Sequence, residues 1–519
     1  MIIKSPHPDI DIPDNISLPQ YIFGDLGPFA NKPAIIDGLS GQSLTYGQLY
    51  QGIQSFARGL KQKGFGKGDV FAIYCPNLPE YAIVFYGVAM LGGINTTINP
   101  LYTVDELTRQ LNDANAKYLL TVPLFLDNAR EAASNSNIEE VFVIGEAEDA
   151  TPFKSLIQSE GEFPGAKINP VEDIIVLPYS SGTTGMPKGV MLTHYNLVAN
   201  IAQMKDISGV SEQDTLIAIL PFFHIFGMVV LMALGLLNRA TIVTMPRFDL
   251  EQFLQIMQDQ KISAAYLVPP VVLALAKHPL VDNYDLSPLR FILSGAAPLG
   301  KEITLACSER LDCVVTQGYG MTEMSPVTNY DAIDPDKVEI GSIGPVIPNT
   351  EAMIINIETG DALGPNQLGE YWLRGPQRML GYLNNAQATA ESIDADGWYH
   401  SGDIGYVNEE GRVFIVDRVK ELIKYKGMQV APAELEAVLL THESIIDAAV
   451  IPCPDEEAGE IPKAYVVTKD DIGADEIMTF VAEKVAPHKK IRAVEFIDEI
   501  PKSPSGKILR RFLIERERS

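Results

Sequence analysis

The chain contains the run Tyr179-Ser180-Ser181-Gly182-Thr183-Thr184-Gly185-Met186-Pro187-Lys188-Gly189-Val190, whose residue types suit an anion. Glycine lets backbone N–H groups approach closely, the four hydroxyls of Ser180, Ser181, Thr183 and Thr184 add donors, and Lys188 adds a compact positive charge. The run therefore reads as a phosphate grip rather than as the flexible Gly/Ser/Thr surface loop such clusters commonly are. It is not a Walker loop. That motif needs glycine before the lysine and a hydroxyl after it, whereas Lys188 stands between Pro187 and Gly189. A dinucleotide fingerprint is also unsupported: Gly64-Phe65-Gly66-Lys67-Gly68 lies after a helical pattern and before a strand pattern, where glycines make the turn.

Four further stretches are rich in functional residue types: Ser294-Gly295-Ala296-Ala297-Pro298-Leu299-Gly300, Gln317-Gly318-Tyr319-Gly320-Met321-Thr322-Glu323, Tyr399-His400-Ser401-Gly402-Asp403, and Pro501-Lys502-Ser503-Pro504-Ser505-Gly506-Lys507. Taken singly, a Gly-rich turn beside a tyrosine is usually structural and a terminal Lys/Pro/Ser run is usually a solvated tail.

The elements that must carry these stretches follow from periodicity. Thr45-Tyr46-Gly47-Gln48 has capping-box spacing, and Leu49, Ile53, Phe56, Ala57 and Leu60 then recur at helical intervals as far as Gly64. Residues 70–74 read as a strand and 80–91 as a helix ended by Gly92-Gly93. Strands are expected at 141–144, 174–177, 216–220, 241–244, 264–268, 291–293 and 314–316, mostly with helical patterns between them, which implies largely parallel sheets covered by helices. Beyond about residue 340 the texture changes to short strands and turns, at 352–357, 369–373 and 412–416. A last unit follows residue 420, with helices at 432–440 and 476–485 and strands at 448–451 and 494–497, and a boundary is placed near residues 417–420.

At 519 residues the chain is too long for one core, a length prior of roughly 150 residues per domain giving two to four units. Hydrophobic residues make up 46% and charged residues 21%, as in folded globular enzymes. With 67 acidic against 40 basic residues the formal charge is -27, which disfavours nucleic acid or an anionic membrane as the main partner. Cys75, Cys307, Cys313 and Cys453 lack metal or disulfide spacing, the N-terminus carries no apolar signal segment and the C-terminus is no peroxisomal address, so a cytoplasmic protein is expected. Residues 215–237 are almost continuously apolar, with His224 the only ionisable group, but Pro221 and Gly227 interrupt them. They read as a buried strand at 216–220 and a buried helix at 228–237 rather than as a transmembrane span.

In this order and at these separations, the five stretches resemble those of the adenylate-forming superfamily, which includes acyl-CoA synthetases, aryl-CoA ligases such as 4-coumarate-CoA ligase, luciferases and peptide-synthetase adenylation domains. The resemblance covers essentially the whole chain. It implies an α/β fold, with a large N-terminal AMP-binding domain (residues 1–419) of two parallel-sheet subdomains plus a β-barrel-like piece, and a small mobile α+β C-terminal catalytic domain (residues 420–519). By resemblance, Ser180, Ser181, Gly182, Thr183, Thr184, Gly185 and Lys188 wrap the β- and γ-phosphates of ATP. Tyr319 stacks on adenine in a pocket lined by Ala296, Ala297 and Pro298, with Gln317, Gly318 and Gly320 in the same nucleotide site. Thr322 bonds the α-phosphate, Glu323 ligates Mg²⁺, and Asp403 accepts both ribose hydroxyls with support from Arg418. Lys507 reaches the substrate carboxylate and the α-phosphate during adenylation, where a positioned cation offsets the repulsion of two anions.

The run Asp417-Arg418-Val419-Lys420-Glu421-Leu422-Ile423-Lys424-Tyr425-Lys426-Gly427 matches the family's hinge, at Lys420, and the segment that faces the active site after the C-terminal domain rotates. The resemblance makes Lys424 catalytic there and places Lys426 and Gly427 on the tunnel for CoA. His224, Phe226, Met228, Val268 and Met324 would line an apolar acyl pocket. No Asp stands in residues 221–228, where amino-acid-activating relatives bind an ammonium. Lys4-Ser5-Pro6-His7-Pro8-Asp9-Ile10, Phe223-His224-Ile225-Phe226-Gly227 and the segment from Val268 to Lys277 are most similar to 4-coumarate-CoA ligases and their acyl-CoA relatives. One departure is Phe226, which stands where hydroxycinnamate ligases commonly have tyrosine and so offers no hydroxyl to a substrate phenol. The expected activity is ATP-dependent joining of a hydroxycinnamate-like, aryl or medium-to-long-chain fatty acid to CoA. A luciferase-like oxygenase and an enzyme loading a carrier protein are the alternatives, and the oligomeric state, monomer or homodimer, stays open.

Overall fold

Thr45 caps the first long helix, Tyr46–Gln62, as its spacing predicts: its hydroxyl accepts the Gln48 N–H at 3.2 Å while the Gln48 side chain accepts the Thr45 N–H at 2.9 Å. Leu49, Ile53, Phe56 and Leu60 on this helix are fully buried, so the 3.6-residue stripe faces the core. The computed structural model describes residues 1–148, 150–159, 161, 165–180, 187–426, 428–455, 458–503 and 506–518.

Two eight-stranded sheets dominate the first four hundred residues. The first runs, in spatial order, Gly381–Tyr382, Lys188–Thr193, Ile174–Ser180, Ile94–Thr97, Val70–Ile73, Ala116–Thr121, Glu140–Val143 and Thr151–Pro152. The second runs Val327–Tyr330, Val314–Gly320, Phe291–Ser294, Ala264–Leu267, Thr215–Ala218, Thr241–Thr244, Pro33–Asp37 and Ser43–Thr45. The inner pairs of both are parallel, as βα alternation implies. Antiparallel strands close both edges of the second sheet and one edge of the first, whose other edge strand, Thr151–Pro152, pairs parallel. One hydrophobic core joins them, taking Phe71, Tyr118 and Phe142 from the first and Ile217, Ile242 and Tyr266 from the second. The expected β-rich piece is a five-stranded antiparallel sheet ordered Ile3–Lys4, Glu351–Ile355, Gly369–Arg374, Tyr399–Val407 and Val413–Arg418. After the turn at 419–422 a fourth sheet, built on strands Ile445–Asp455 and Gly459–Thr468, packs with helices Pro432–Leu439 and Ala474–Ala482 around clusters of its own.

Three departures from the expected elements have physical reasons. Strand Ile94–Thr97 reads as polar in sequence, yet Asn95 and Thr96 are fully buried because their side chains bond carbonyls of other elements, Asn95 to Phe85 and Ile175 and Thr96 to Leu177. The lysine end of the phosphate-grip run is a strand, Lys188–Thr193, pairing antiparallel with Ile174–Ser180 so that Lys188 lies opposite Ser180. A Walker loop would instead open a helix. The apolar run at 215–237 forms strand Thr215–Ala218, then a π-helix at Phe226–Ala233 that continues as α-helix over Leu234–Leu237, so the helix starts two residues earlier and is wider than expected. Among the described residues no helix is long and apolar enough to cross a membrane.

Candidate active site

Strand Val314–Gly320 carries Tyr319 out of the second sheet to meet Asp403 on strand Tyr399–Val407, where the Tyr319 hydroxyl donates to Asp403 Oδ2. Asp403 lies directly across the ladder from Arg418, whose Nε is 3.3 Å from Asp403 Oδ1. Burial pushes the Asp403 carboxyl above its usual range and Arg418 opposes that shift. Both carboxylate oxygens thus have a fixed partner, and the pair holds one orientation. Gly320 is required by close approach: a Cβ there would stand 2.3 Å from the Pro326 carbonyl oxygen.

The turn after this strand, Thr322–Met324, places Glu323 beside Ser180. Glu323 is buried, and its Oε1 accepts the Ser180 hydroxyl at 2.9 Å and the Tyr382 hydroxyl at 2.8 Å. With one oxygen fastened twice, the carboxylate direction is set. Lys188 Nζ sits 4.6 Å from the centroid of the same Tyr382 ring. Tyr382 was not legible as a site residue, since it stands in the two-residue strand Gly381–Tyr382 with no motif around it. Ser181, Gly182, Thr183, Thr184 and Gly185 lie outside the described residues.

Gln317 accepts the Leu299 N–H at 2.9 Å, which ties the segment Ala296-Ala297-Pro298 to strand Val314–Gly320. Ala296 adopts a left-handed φ of 72°, and Ala296 and Pro298 are exposed, so this segment forms an open wall. Phe226 packs on its inner side: a Cβ on Gly295 would be 2.9 Å from the ring, and the Tyr266 ring lies edge-on to it at 6.5 Å. Gly318 follows Gln317 on the same strand, and Met228 and Met324 are fully buried behind.

Lys507 arrives from the far end of the chain. Its loop seats on the start of helix Pro269–Lys277: Gly506 takes a left-handed φ of 76°, and a Cβ there would be 3.3 Å from Val268 Cγ2 and 3.4 Å from Pro270 Cδ. Val268, expected in the acyl pocket, lies against Gly506 here. The loop closes on itself through Lys507 N–H to Ser503 Oγ at 3.1 Å and Ser503 N–H to the Lys507 carbonyl at 2.8 Å. Burial, then the neighbouring Arg418, push the Lys507 ammonium down to about 8, while Glu421 and Asp403 oppose the shift. Burial, then Lys507, push His224 down to about 4, so the imidazole is neutral near pH 7. His224 Nδ1 accepts the Phe226 N–H at 3.3 Å, which leaves the ring proton on Nε2. Lys507 thus stands among the Asp403–Arg418 pair, Glu421 and His224.

Two contacts hold the C-terminal unit in this arrangement, and an ionic knot braces that unit internally. Lys277 Nζ donates to the Leu440 carbonyl at 2.9 Å, at the C-terminal end of helix Pro432–Leu439. A Cβ on Gly300 would touch Ala437 at 3.7 Å. Arg510, three residues after Lys507, donates to both Glu436 oxygens at 2.7 Å, to the Val450 carbonyl at 3.0 Å and to Glu421 just after the expected hinge. Sequence reading missed Arg510, whose neighbours look like a charged tail. The two lysines expected to be catalytic are separated: Lys507 is half-buried in the cleft, whereas Lys424 is exposed on a hairpin of strands Ile423–Tyr425 and Met428–Val430, its N–H donating to Glu460 at 2.7 Å. Lys426 is exposed on the same hairpin with a left-handed φ of 48°, Lys420 is exposed in the preceding turn, and Gly427 lies outside the described residues.

Among known proteins the AMP-binding enzyme family matches residues 26–383, and the AMP-binding enzyme C-terminal domain matches residues 434–507. The chain is 43% identical to 4-coumarate:CoA ligase 1 of Petunia hybrida, over 99% of this chain and 97% of that protein. It is 44% identical to 4-coumarate–CoA ligase 1 of Solanum tuberosum, over 99% and 96%. Among solved structures it superposes on an anthranilate CoA ligase in complex with anthranoyl-AMP with a TM-score of 0.91 at 27% identity, covering 98% of each chain. A benzoate CoA ligase from Burkholderia xenovorans LB400 gives 0.86 at 25% identity over 96% of this chain and 99% of that one. With the family model spanning residues 26–383 and nearly the whole chain covered by such relatives, the protein belongs to the AMP-binding enzyme family.

Proposed function

We propose that the protein is an ATP-dependent, AMP-forming carboxylate–CoA ligase for hydroxycinnamate-like acids. The reaction has two steps. A carboxylate oxygen attacks the α-phosphorus of ATP and the bond to pyrophosphate breaks, giving acyl-AMP. The CoA thiol, losing its proton, then attacks the acyl carbon, and AMP leaves to give the thioester. The observation that supports this reading most directly is the position of Lys507 among Asp403, Arg418 and His224 at one cleft.

In the first step Lys507 offsets the repulsion between carboxylate and α-phosphate, and Thr322 bonds the α-phosphate. The hydroxyls and glycines of residues 180–185, with Lys188, hold the departing pyrophosphate. Tyr319 stacks on adenine against Ala296, Ala297 and Pro298, beside Gln317, Gly318 and Gly320, and Asp403 and Arg418 hold the ribose. His224, neutral and protonated at Nε2, donates a hydrogen bond to the acid's carboxyl, with Phe226, Met228, Val268 and Met324 around the acyl chain. Glu323 would hold Mg²⁺, which neutralises phosphate charge when bound. Glu323 is a buried carboxylate whose direction is set by Ser180 and Tyr382, the kind of hard oxygen donor Mg²⁺ prefers. For the second step residues 420–519 turn about Lys420 as a unit, carrying Lys424, Lys426 and Gly427 from the exposed hairpin toward the cleft.

The pH dependence of the first step follows from Lys507, which is charged below about 8 and loses its proton as pH rises through that value. kcat/KM for the acid in ATP–pyrophosphate exchange is expected to hold to about pH 8 and then fall up to roughly tenfold per pH unit, because it reports the substrate-free enzyme. A profile flat to about pH 10, the ordinary lysine range, would remove Lys507 from this role.

The reading as a whole is tested by CoA-dependent AMP release over a panel of aryl and fatty acids, with 4-coumarate and cinnamate expected among the best. Lacking a hydroxyl at Phe226, the wild type is expected to favour 4-coumarate over cinnamate only weakly. Phe226→Tyr should raise that preference about 3- to 10-fold, the worth of one hydrogen bond. An unchanged ratio would count against the placement of Phe226 at the phenol end, and no CoA-dependent AMP release with any acid would overturn the function.

A further inference from the structure

The loop that delivers His224, residues 219–225, belongs to the second sheet: it leaves strand Thr215–Ala218 and enters the π-helix Phe226–Ala233. It folds back tightly. The His224 N–H donates to the Pro221 carbonyl at 3.0 Å, and a Cβ on Gly227 would stand 2.3 Å from that same oxygen. Two side chains fasten it from outside, and both come from elements of the first sheet.

Asn77, in the turn between strand Val70–Ile73 and helix Pro79–Met90, is 4% exposed. Its Nδ2 donates to the Ala218 and Leu220 carbonyls, both at 2.9 Å, and its Oδ1 accepts the Phe222 N–H at 2.7 Å. The amide therefore spends both its donor and its acceptor on a five-residue span of the loop. Thr97, the last residue of strand Ile94–Thr97, donates its hydroxyl to the Phe223 carbonyl at 2.8 Å. Thr97 is itself held by Gln110 of helix Val104–Asp113, whose Nε2 donates to the Thr97 carbonyl at 3.1 Å. A small cavity next to the cleft is walled by Thr97, Phe223, His224 and Thr322, so this anchoring reaches the edge of the reacting region.

We propose that Asn77 and Thr97 are positioning residues for His224: acting through the backbone of residues 218–223, they set the height and tilt at which its Nε2–H meets the acid's carboxyl group. The proposal rests on the ligase reading and on His224 bonding the acid. It also gives the two sheets a shared task, since a group anchored in the first aims a side chain carried by the second. A buried amide cross-linking two elements could instead serve stability alone, and the test separates these roles.

The experiment measures carboxylate-dependent ATP–pyrophosphate exchange in Asn77→Ala, Thr97→Val and Thr97→Ser of the full chain, each in wild-type and His224→Ala backgrounds. Thr97→Val keeps the shape and removes the hydroxyl; Thr97→Ser keeps the hydroxyl. Asn77→Ala and Thr97→Val are expected to lower kcat roughly 10- to 100-fold in the wild-type background, as a misplacement of about 1 Å does, with KM for ATP moving less than about twofold. In the His224→Ala background the same changes should cost less than about threefold, because the group they aim is gone. Thr97→Ser should recover most of the rate lost in Thr97→Val. Equal losses in both backgrounds, or a Thr97→Ser as impaired as Thr97→Val, would overturn the proposal. If Asn77→Ala does not fold, the Thr97 pair decides alone. Absence of exchange in the wild type would instead overturn the ligase reading. The His224 ring ¹⁵N signals then decide the placement, expected to shift in Thr97→Val and to return in Thr97→Ser, with no shift in Thr97→Val ruling it out.

Discussion

Replacing Lys507 by alanine is expected to lower carboxylate-dependent ATP–pyrophosphate exchange by roughly 10²- to 10³-fold, the loss typical of removing one positioned charge from a developing oxyanion. The size follows from the surroundings. Lys507 is held in a partly desolvated place next to Arg418, which burial and like charge make unfavourable for an ammonium. In the proposed first step two arriving anions, carboxylate and α-phosphate, would relieve that cost, so the interaction would strengthen as the reactants approach. Conversion of added acyl-AMP and CoA to thioester should fall by less than about tenfold, since that step would use the C-terminal unit after it has turned. Lys188→Ala should reduce exchange less than Lys507→Ala, because in the proposed mechanism Lys188, which lies beside Tyr382, holds the leaving group rather than the reacting oxygens. Lys424→Ala should also spare exchange and slow the second step. Wild-type exchange in Lys507→Ala, or a larger loss in Lys188→Ala, would reverse this division of labour.

Arg510→Leu is expected to destabilise the C-terminal unit by about 3–5 kcal/mol, as removing one partner from a buried ion pair does. Arg510 donates to both oxygens of Glu436 and to Glu421, and its side chain is only 11% exposed. Burial pushes the Glu436 carboxyl upward and Arg510 opposes that shift, so without the guanidinium the acid is left buried and uncompensated. Hydrogen exchange read along the chain is the appropriate measurement, because residues from 423 onward have core clusters of their own. Protection should fall in strands Ile445–Asp455 and Gly459–Thr468 and stay unchanged in strands such as Val70–Ile73. Replacing Glu421 and Glu436 together with Arg510 by apolar residues of similar volume should restore most of the loss, since a buried ionic knot competes poorly with good apolar packing. A loss below about 1 kcal/mol in Arg510→Leu would place the knot in solvent-screened surroundings instead. Exchange activity should fall along with stability, because Arg510 lies three residues beyond Lys507 and holds Glu421 beside it.

Local sequence by itself determined whatever a few neighbouring residues decide. The capping box at Thr45 and Gln48, the helical stripe of Leu49, Ile53, Phe56 and Leu60, and the βα rhythm of parallel sheets all follow from short-range sterics and hydrogen bonding. The reactive stretches were visible for the same reason, since glycines, hydroxyls and lysines declare their chemistry without neighbours. Tertiary structure decided which of those groups meet. Tyr319 reaches Asp403 across 84 residues of chain and Ser180 reaches Glu323 across 143, because separate sheets bring those strand ends to one cleft. Tertiary structure also decided the elements whose partners are distant. Ile94–Thr97 is a strand despite polar side chains because the acceptors for Asn95 and Thr96 lie on other elements, and no local pattern announces them. His224 could be named from its loop, but its neutral state, its tautomer and its neighbour Lys507 required the packed protein. Hydrogen bonds that close within a turn are written in adjacent residues, whereas burial and long-range charge exist only once the chain has folded.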